Sequence, residues 1–177
     1  SKVKHELVGS PYNDRRNSCE NVVKAMNQHF TDRKFETLRD ATWEDLEAVK
    51  AQVSAEDYKR AHFVLGEKDR VLAVCEALEK GNYDVVGQKM YETHEGLSKE
   101  YEVSCEELDY LNELAKENGV TGSRIMGGGF GGCTINLVKE DVYDKFIADA
   151  KVKFAAKYGH EPSVIDVVIG DGSRRIC

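Results

Sequence analysis

The sequence has no apolar run approaching the roughly 20 residues a membrane helix needs, so a spanning helix is excluded. It has no C-x-x-C pair: its five cysteines, Cys19, Cys75, Cys105, Cys133 and Cys177, stand singly. An odd number without a framework points to free thiols and a reducing, cytoplasmic compartment. Each also fits as a small apolar side chain. His5, His29, His62, His94 and His160 lack ligand spacing, and His94-Glu95 has no second histidine three residues on, which excludes a zinc site of that kind. The tripeptides H-R-D and D-F-G are absent, which excludes a protein kinase. A formal net charge of −7 disfavours nucleic acid as a partner. There is no secretory signal, internal repeat, low-complexity tract or long linker.

What remains is a chain of 177 residues, 41% hydrophobic and 32% charged, enough for one globular domain with a real core. Its most informative stretch is Gly122-Ser-Arg-Ile-Met-Gly-Gly-Gly-Phe-Gly-Gly-Cys-Thr-Ile-Asn-Leu-Val138, where five of the six positions 127–132 are glycine. Glycine costs backbone entropy, so such a cluster requires either positive φ in a tight turn or close approach of backbone N–H groups to an anion. Gly127, Gly129 and Gly132 nominally spell G-x-G-x-x-G, but an apolar, strand-like run follows where the dinucleotide fingerprint needs a helix. A glycine-rich β turn without a ligand is the alternative. Phe130 reads as one anchoring side chain in an otherwise bare loop.

Helical signals dominate before the loop. Ser10-Pro11 predicts a helix start, with Tyr12, Cys19, Val22, Val23 and Met26 largely on one face. Thr42-x-x-Asp45 and Ser54-x-x-Asp57 resemble capping motifs, and Ser104-x-x-Glu107 is a capping box. Ala61, Val64, Leu65, Val71, Leu72, Cys75 and Leu78 predict one apolar helical face up to Gly81. Further helices are expected over about 82–98, around Leu108 to Ala115, and from Tyr143 to Tyr158, where Gly159 stops the last. Strands are expected at 123–126, 134–138, 164–169 and, at an edge, 174–176. Helices followed by late strands predict an α+β fold with an antiparallel sheet.

Four segments, in order, resemble galactokinases of the GHMP kinase superfamily, bacterial members most closely. Ser123-Arg-Ile-Met-Gly-Gly-Gly-Phe-Gly-Gly-Cys133 resembles the third conserved motif of that family. Val3-Lys-His-Glu-Leu7 with Ser10-Pro-Tyr-Asn-Asp-Arg-Arg16 and Cys19-Glu20 is similar to the segment in which a tyrosine precedes an Arg-Arg pair. Tyr101-Glu-Val-Ser-Cys-Glu-Glu-Leu-Asp109 and Ile169-Gly-Asp-Gly-Ser173 complete the series. The resemblance implies a GHMP kinase C-terminal domain, a ferredoxin-like antiparallel sheet with additional helices. It implies MgATP and galactose as cofactor and substrate of the whole enzyme, with no cofactor tightly bound by this part.

On that resemblance Tyr12 is the substrate-binding residue, hydrogen-bonding a hydroxyl of the sugar; its ring packs an apolar sugar face while its hydroxyl reads a polar group. A tyrosine merely covering the helix start is the alternative. Lys4 and the loop glycines Gly127, Gly128 and Gly129 are phosphate-proximal candidates, Lys4 having an exposed strand lysine as its alternative. Arg15 and Arg16 are expected to pair with carboxylates across a domain seam, and Trp43 to pack. The family's catalytic aspartate, Glu-His-x-Asp sugar segment and nucleotide loop match nothing here. The chain is therefore expected to be a C-terminal domain, residues 1–9 forming the seam, with no catalytic residue and no activity alone. Other GHMP sugar kinases, for N-acetylgalactosamine or arabinose, and a non-catalytic galactose sensor share the motifs.

Overall fold

The structure, a computed structural model, describes residues 1–3, 11–168, 170–172 and 175. Among the described residues six α-helices and two strands follow in the order α1 (Tyr12–His29), α2 (Trp43–Val49), α3 (Ala55–Glu79), α4 (Tyr83–Lys99), α5 (Glu106–Glu117), β1 (Gly122–Met126), β2 (Cys133–Leu137) and α6 (Glu140–Tyr158). The starts are chemically marked. Thr42 and Asp45 close a reciprocal capping box on α2, the Ser54 side chain accepts from the amide of Asp57 on α3, and Asn82 accepts from Val85 on α4. Gly159 ends α6 in the left-handed region, at φ 76°.

Two apolar clusters organise the helices. Val22, Ala25 and Met26 of α1 meet Phe35, Leu38, Ala41, Leu46 and Val49, closed by Ala61 and Leu65 of α3. Leu114 and Ala115 of α5 meet Val120 and, from α6, Phe146 and Ala150. Between them α4 lies against α3 on one side and β1 on the other. Both contacts depend on glycine. A Cβ on Gly87 would lie 1.9 Å from the Thr121 carbonyl oxygen, and one on Gly96 would lie 2.5 Å from the Phe63 ring.

β1 and β2 pair antiparallel, from Gly122↔Leu137 to Met126↔Cys133, so the six residues 127–132 form the connecting loop. The fold is α+β, helices on a small antiparallel sheet. Several sequence expectations need correction. The β1–β2 ladder is the sheet present among the described residues. Residues 164–168 carry no strand, and Ile165, Val167 and Val168 are 73%, 74% and 95% exposed. Strand propensity forms no ladder without a partner edge. The expected strand at 174–176 lies largely outside the described residues. Val71, Leu72, Cys75 and Leu78 are exposed. The more buried positions of this part of α3 instead include Gly66, Arg70, Ala73, Val74 and Ala77. Ser104 does not cap α5: the N-cap is Cys105, without a side-chain cap bond, and Ser104 donates to Asp109 instead. The N-cap of α1 is Pro11 rather than Ser10, which lies outside the described residues.

Candidate functional site

The glycine loop is held between two backbone segments. On one side, the Ser1 backbone nitrogen and hydroxyl both donate to the Gly132 carbonyl at 2.8 Å, and the Gly132 amide donates to the Val3 carbonyl at 3.3 Å. On the other, the Phe130 amide donates to the Val103 carbonyl at 2.6 Å. Gly129 has φ 80°, and a Cβ there would sit 2.2 Å from that same carbonyl oxygen. A Cβ on Gly131 would likewise sit 2.7 Å from the Val3 carbonyl oxygen. Glycine is thus required here twice, for left-handed backbone and for contact with neighbouring chain. Gly127 and Gly128 lie on the exposed side of the loop, and Gly127 is left-handed with open space around it.

Val103 belongs to residues 100–104, the linker between α4 and α5. This segment is bonded from several directions. His62 Nδ1 lies 2.7 Å from Glu100 Oε2, and Lys59 donates to Glu102 at 3.1 Å. That ammonium holds the Glu102 carboxyl below its ordinary pKa. The Tyr101 ring packs on Phe63 at 5.0 Å, and its hydroxyl lies 3.9 Å from Cys19 Sγ. Burial pushes both the Tyr101 hydroxyl and the Cys19 thiol to higher pKa, so both stay protonated at neutral pH. Arg15, nine-tenths buried in the first turn of α1, is the principal tie. Its Nε donates to the Tyr101 carbonyl at 3.0 Å, one Nη to the Glu102 carbonyl and the other to Pro11 at 3.3 Å, and its guanidinium lies 5.3 Å from the Phe130 ring centre.

Beneath the linker is a half-buried polar cluster. Asp109 of α5 accepts from Ser104 and, at 3.0 Å, from Ser98 of α4, while His94 Nε2 lies 3.1 Å from the same carboxylate. His94 is 5% exposed and its Nδ1 has no partner among the described residues. Burial lowers its pKa, against the opposing pull of Asp109.

The sequence-predicted residues gather only in part. Tyr12 stands in the first turn of α1, 48% exposed, one turn before Arg15. Lys4 and Leu7 lie outside the described residues. Arg15 makes its hydrogen bonds within the chain, to backbone carbonyls, where a seam ion pair was expected; its burial under Phe130 and the linker is the reason. Arg16 is exposed and bonds Glu20 at 2.8 Å. Trp43 packs edge-on to His62 and also donates to Asp69 at 2.8 Å. The expectation missed the linker as a hub. Its residues have no periodicity, and the one available signal was their place among the four resembling segments.

The family description "GHMP kinases C terminal" matches residues 75–152, which run from the end of α3 through the glycine loop into α6. Relatives align over far more. A galactokinase of Clostridium beijerinckii is 39% identical over 175 residues, covering 98% of this chain and 44% of that protein. A galactokinase of Thermotoga petrophila is 36% identical over 177 residues, 99% of this chain and 47% of that one. The human galactokinase is 44% identical over 140 residues, 78% of this chain and 34% of its own. The chain carries a GHMP kinases C-terminal match over residues 75–152 and is similar to galactokinases over nearly its whole length. It spans less than half the length of these curated relatives. A galactokinase of Lactococcus lactis, solved in complex with galactose, superposes with a TM-score of 0.80 at 29% identity, over 90% of this chain and 41% of that one. The likeness is thus one of fold as well as sequence, and the glycine loop falls inside the matched region.

Proposed function

We propose that this chain is the C-terminal part of a galactokinase that transfers the γ-phosphoryl of MgATP to the anomeric hydroxyl of galactose. The observation that carries the reading is homology to galactokinases over 98–99% of the chain, not merely over one motif. The geometry is compatible with it. Phosphoryl transfer rests on positioning and charge stabilisation. In this reading Tyr12 hydrogen-bonds a sugar hydroxyl, while Gly127, Gly128 and Gly129, with Lys4, lie near the nucleotide phosphates. The exposed, side-chain-free backbone at 127–128 leaves room for a phosphate to approach. Residues 1–9 belong to the seam with a further domain that supplies proton abstraction and most nucleotide contacts. Among the described residues no group of three or more His, Cys, Asp or Glu side chains is placed to hold a metal ion, so no magnesium ligand is assigned here. No helix among the described residues is long and apolar enough to cross a membrane. With four described cysteines free, a reducing cytoplasm suits the chain.

The test is a coupled ATPase assay of the parent protein on galactose, N-acetylgalactosamine and arabinose, with Tyr12→Phe alongside. Galactose is expected to be the preferred substrate. Loss of one hydrogen bond, about 0.5–1.5 kcal/mol, lowers kcat/KM for galactose roughly two- to tenfold, with little change in the KM for ATP. Preference for another sugar contradicts the substrate assignment, and unchanged galactose kinetics in Tyr12→Phe removes Tyr12 from the site.

A further inference from the structure

Two of the non-glycine residues with left-handed backbone are Glu102, at φ 55°, and Phe130, at φ 58°. Such conformations are unfavourable for L-residues and persist where surrounding contacts over-determine them. The two flank a single contact, the Phe130 amide on the Val103 carbonyl at 2.6 Å, which joins the glycine loop to the linker. One side chain touches both. Arg15 donates to the Glu102 carbonyl and lies over the Phe130 ring, while bonding Tyr101 and Pro11 as well. A planar guanidinium offers several in-plane donors and a flat face for an aromatic ring; a lysine ammonium offers neither arrangement.

We propose that Arg15 is a positioning residue: it locks the glycine loop in its working conformation by clamping Glu102 and Phe130 together. This rests on the kinase reading in one respect, that the loop serves phosphoryl transfer. Arg15 touches no reacting atom in this account. It acts through Val103 and Phe130, and through the Pro11 carbonyl it also ties the loop to the turn that carries Tyr12.

The test compares Arg15→Lys with wild type in the parent protein by amide hydrogen exchange and by steady-state kinetics. Exchange of the peptide covering 127–133 is expected to rise at least tenfold, while peptides from α3 and α6 keep wild-type protection. In the same variant kcat/KM for ATP is expected to fall at least tenfold. Arg16→Lys, on the exposed neighbour, is expected to leave loop exchange unchanged. Wild-type loop exchange in a folded Arg15→Lys overturns the proposal. So does a uniform rise across all peptides, the mark of a general stabiliser, or a loosened loop with normal kinetics. If Arg15→Lys does not fold, Phe130→Ala is read in the same way, since it removes the other half of the stack. If the wild-type protein phosphorylates no sugar, the kinase reading fails, and the exchange arm alone decides whether Arg15 holds the loop.

Discussion

At the scale of single residues, the loop glycines divide by what surrounds them. Gly127 and Gly129 both have positive φ, at 84° and 80°, so alanine is strained at either. They differ in space. A Cβ at Gly127 meets nothing within 4 Å, whereas one at Gly129 would overlap the Val103 carbonyl oxygen at 2.2 Å. Gly129→Ala must therefore push the loop off the linker and break the Phe130–Val103 bond. A displacement of about 1 Å near reacting groups costs up to roughly a hundredfold in rate. In the parent enzyme Gly129→Ala is expected to lower kcat/KM for ATP at least tenfold more than Gly127→Ala. Kinetics measured beside thermal melting check this, and equal effects at the two positions contradict it. The glycine cluster was legible in the sequence as a demand for unusual backbone. That Gly129 and Gly131 meet Val103 and Val3 was not, because both partners are distant in sequence.

At the scale of elements, local chemistry carried most of the reading. Caps at Thr42 and Ser54, the stop at Gly159, and the 3.6-residue period of α5 and α6 mark their elements before any fold is known. Where two elements choose each other the sequence was less explicit. The single apolar face read for α3 was partly the exposed one: Val71, Leu72, Cys75 and Leu78 lie outward, while Gly66, Ala73 and Ala77 are more buried. The Val164–Val168 run has strand composition but no partner edge among the described residues, a property composition does not encode. The α4–α5 junction is held by His94, Ser98, Ser104 and Asp109, and it should respond to pH. The buried His94 takes its second proton less readily folded than unfolded, so as pH falls the unfolded chain gains that proton first. Its contribution is complete above the ordinary value of 6.5 and is lost as pH drops below it. Urea midpoints taken at about pH 7 and pH 5 are expected to fall with pH in wild type, and to fall less in His94→Gln. An equal drop in both proteins assigns the pH response elsewhere.

At the scale of the whole molecule, two apolar clusters flank α4, and the linker, the glycine loop and the start of α1 converge on one side. Tyr12 and the loop glycines Gly127 and Gly128 are exposed. On the proposed reading this is half of an active site, orienting sugar and phosphate for groups supplied by another domain. The α+β class, the helix order and the loop between two strands were legible from the sequence. The role of residues 100–104 was not, since it arises from contacts that α1, α3 and the loop make together. The central claim, that this chain completes a galactokinase, predicts both a product and its absence. The most direct measurement is phosphorus NMR of ATP and galactose incubated with the parent protein and, separately, with residues 1–177. The account predicts galactose phosphorylated at its anomeric oxygen by the parent protein and no transfer by residues 1–177. Phosphate on another hydroxyl, no transfer by the parent protein, or turnover by residues 1–177 alone would contradict it.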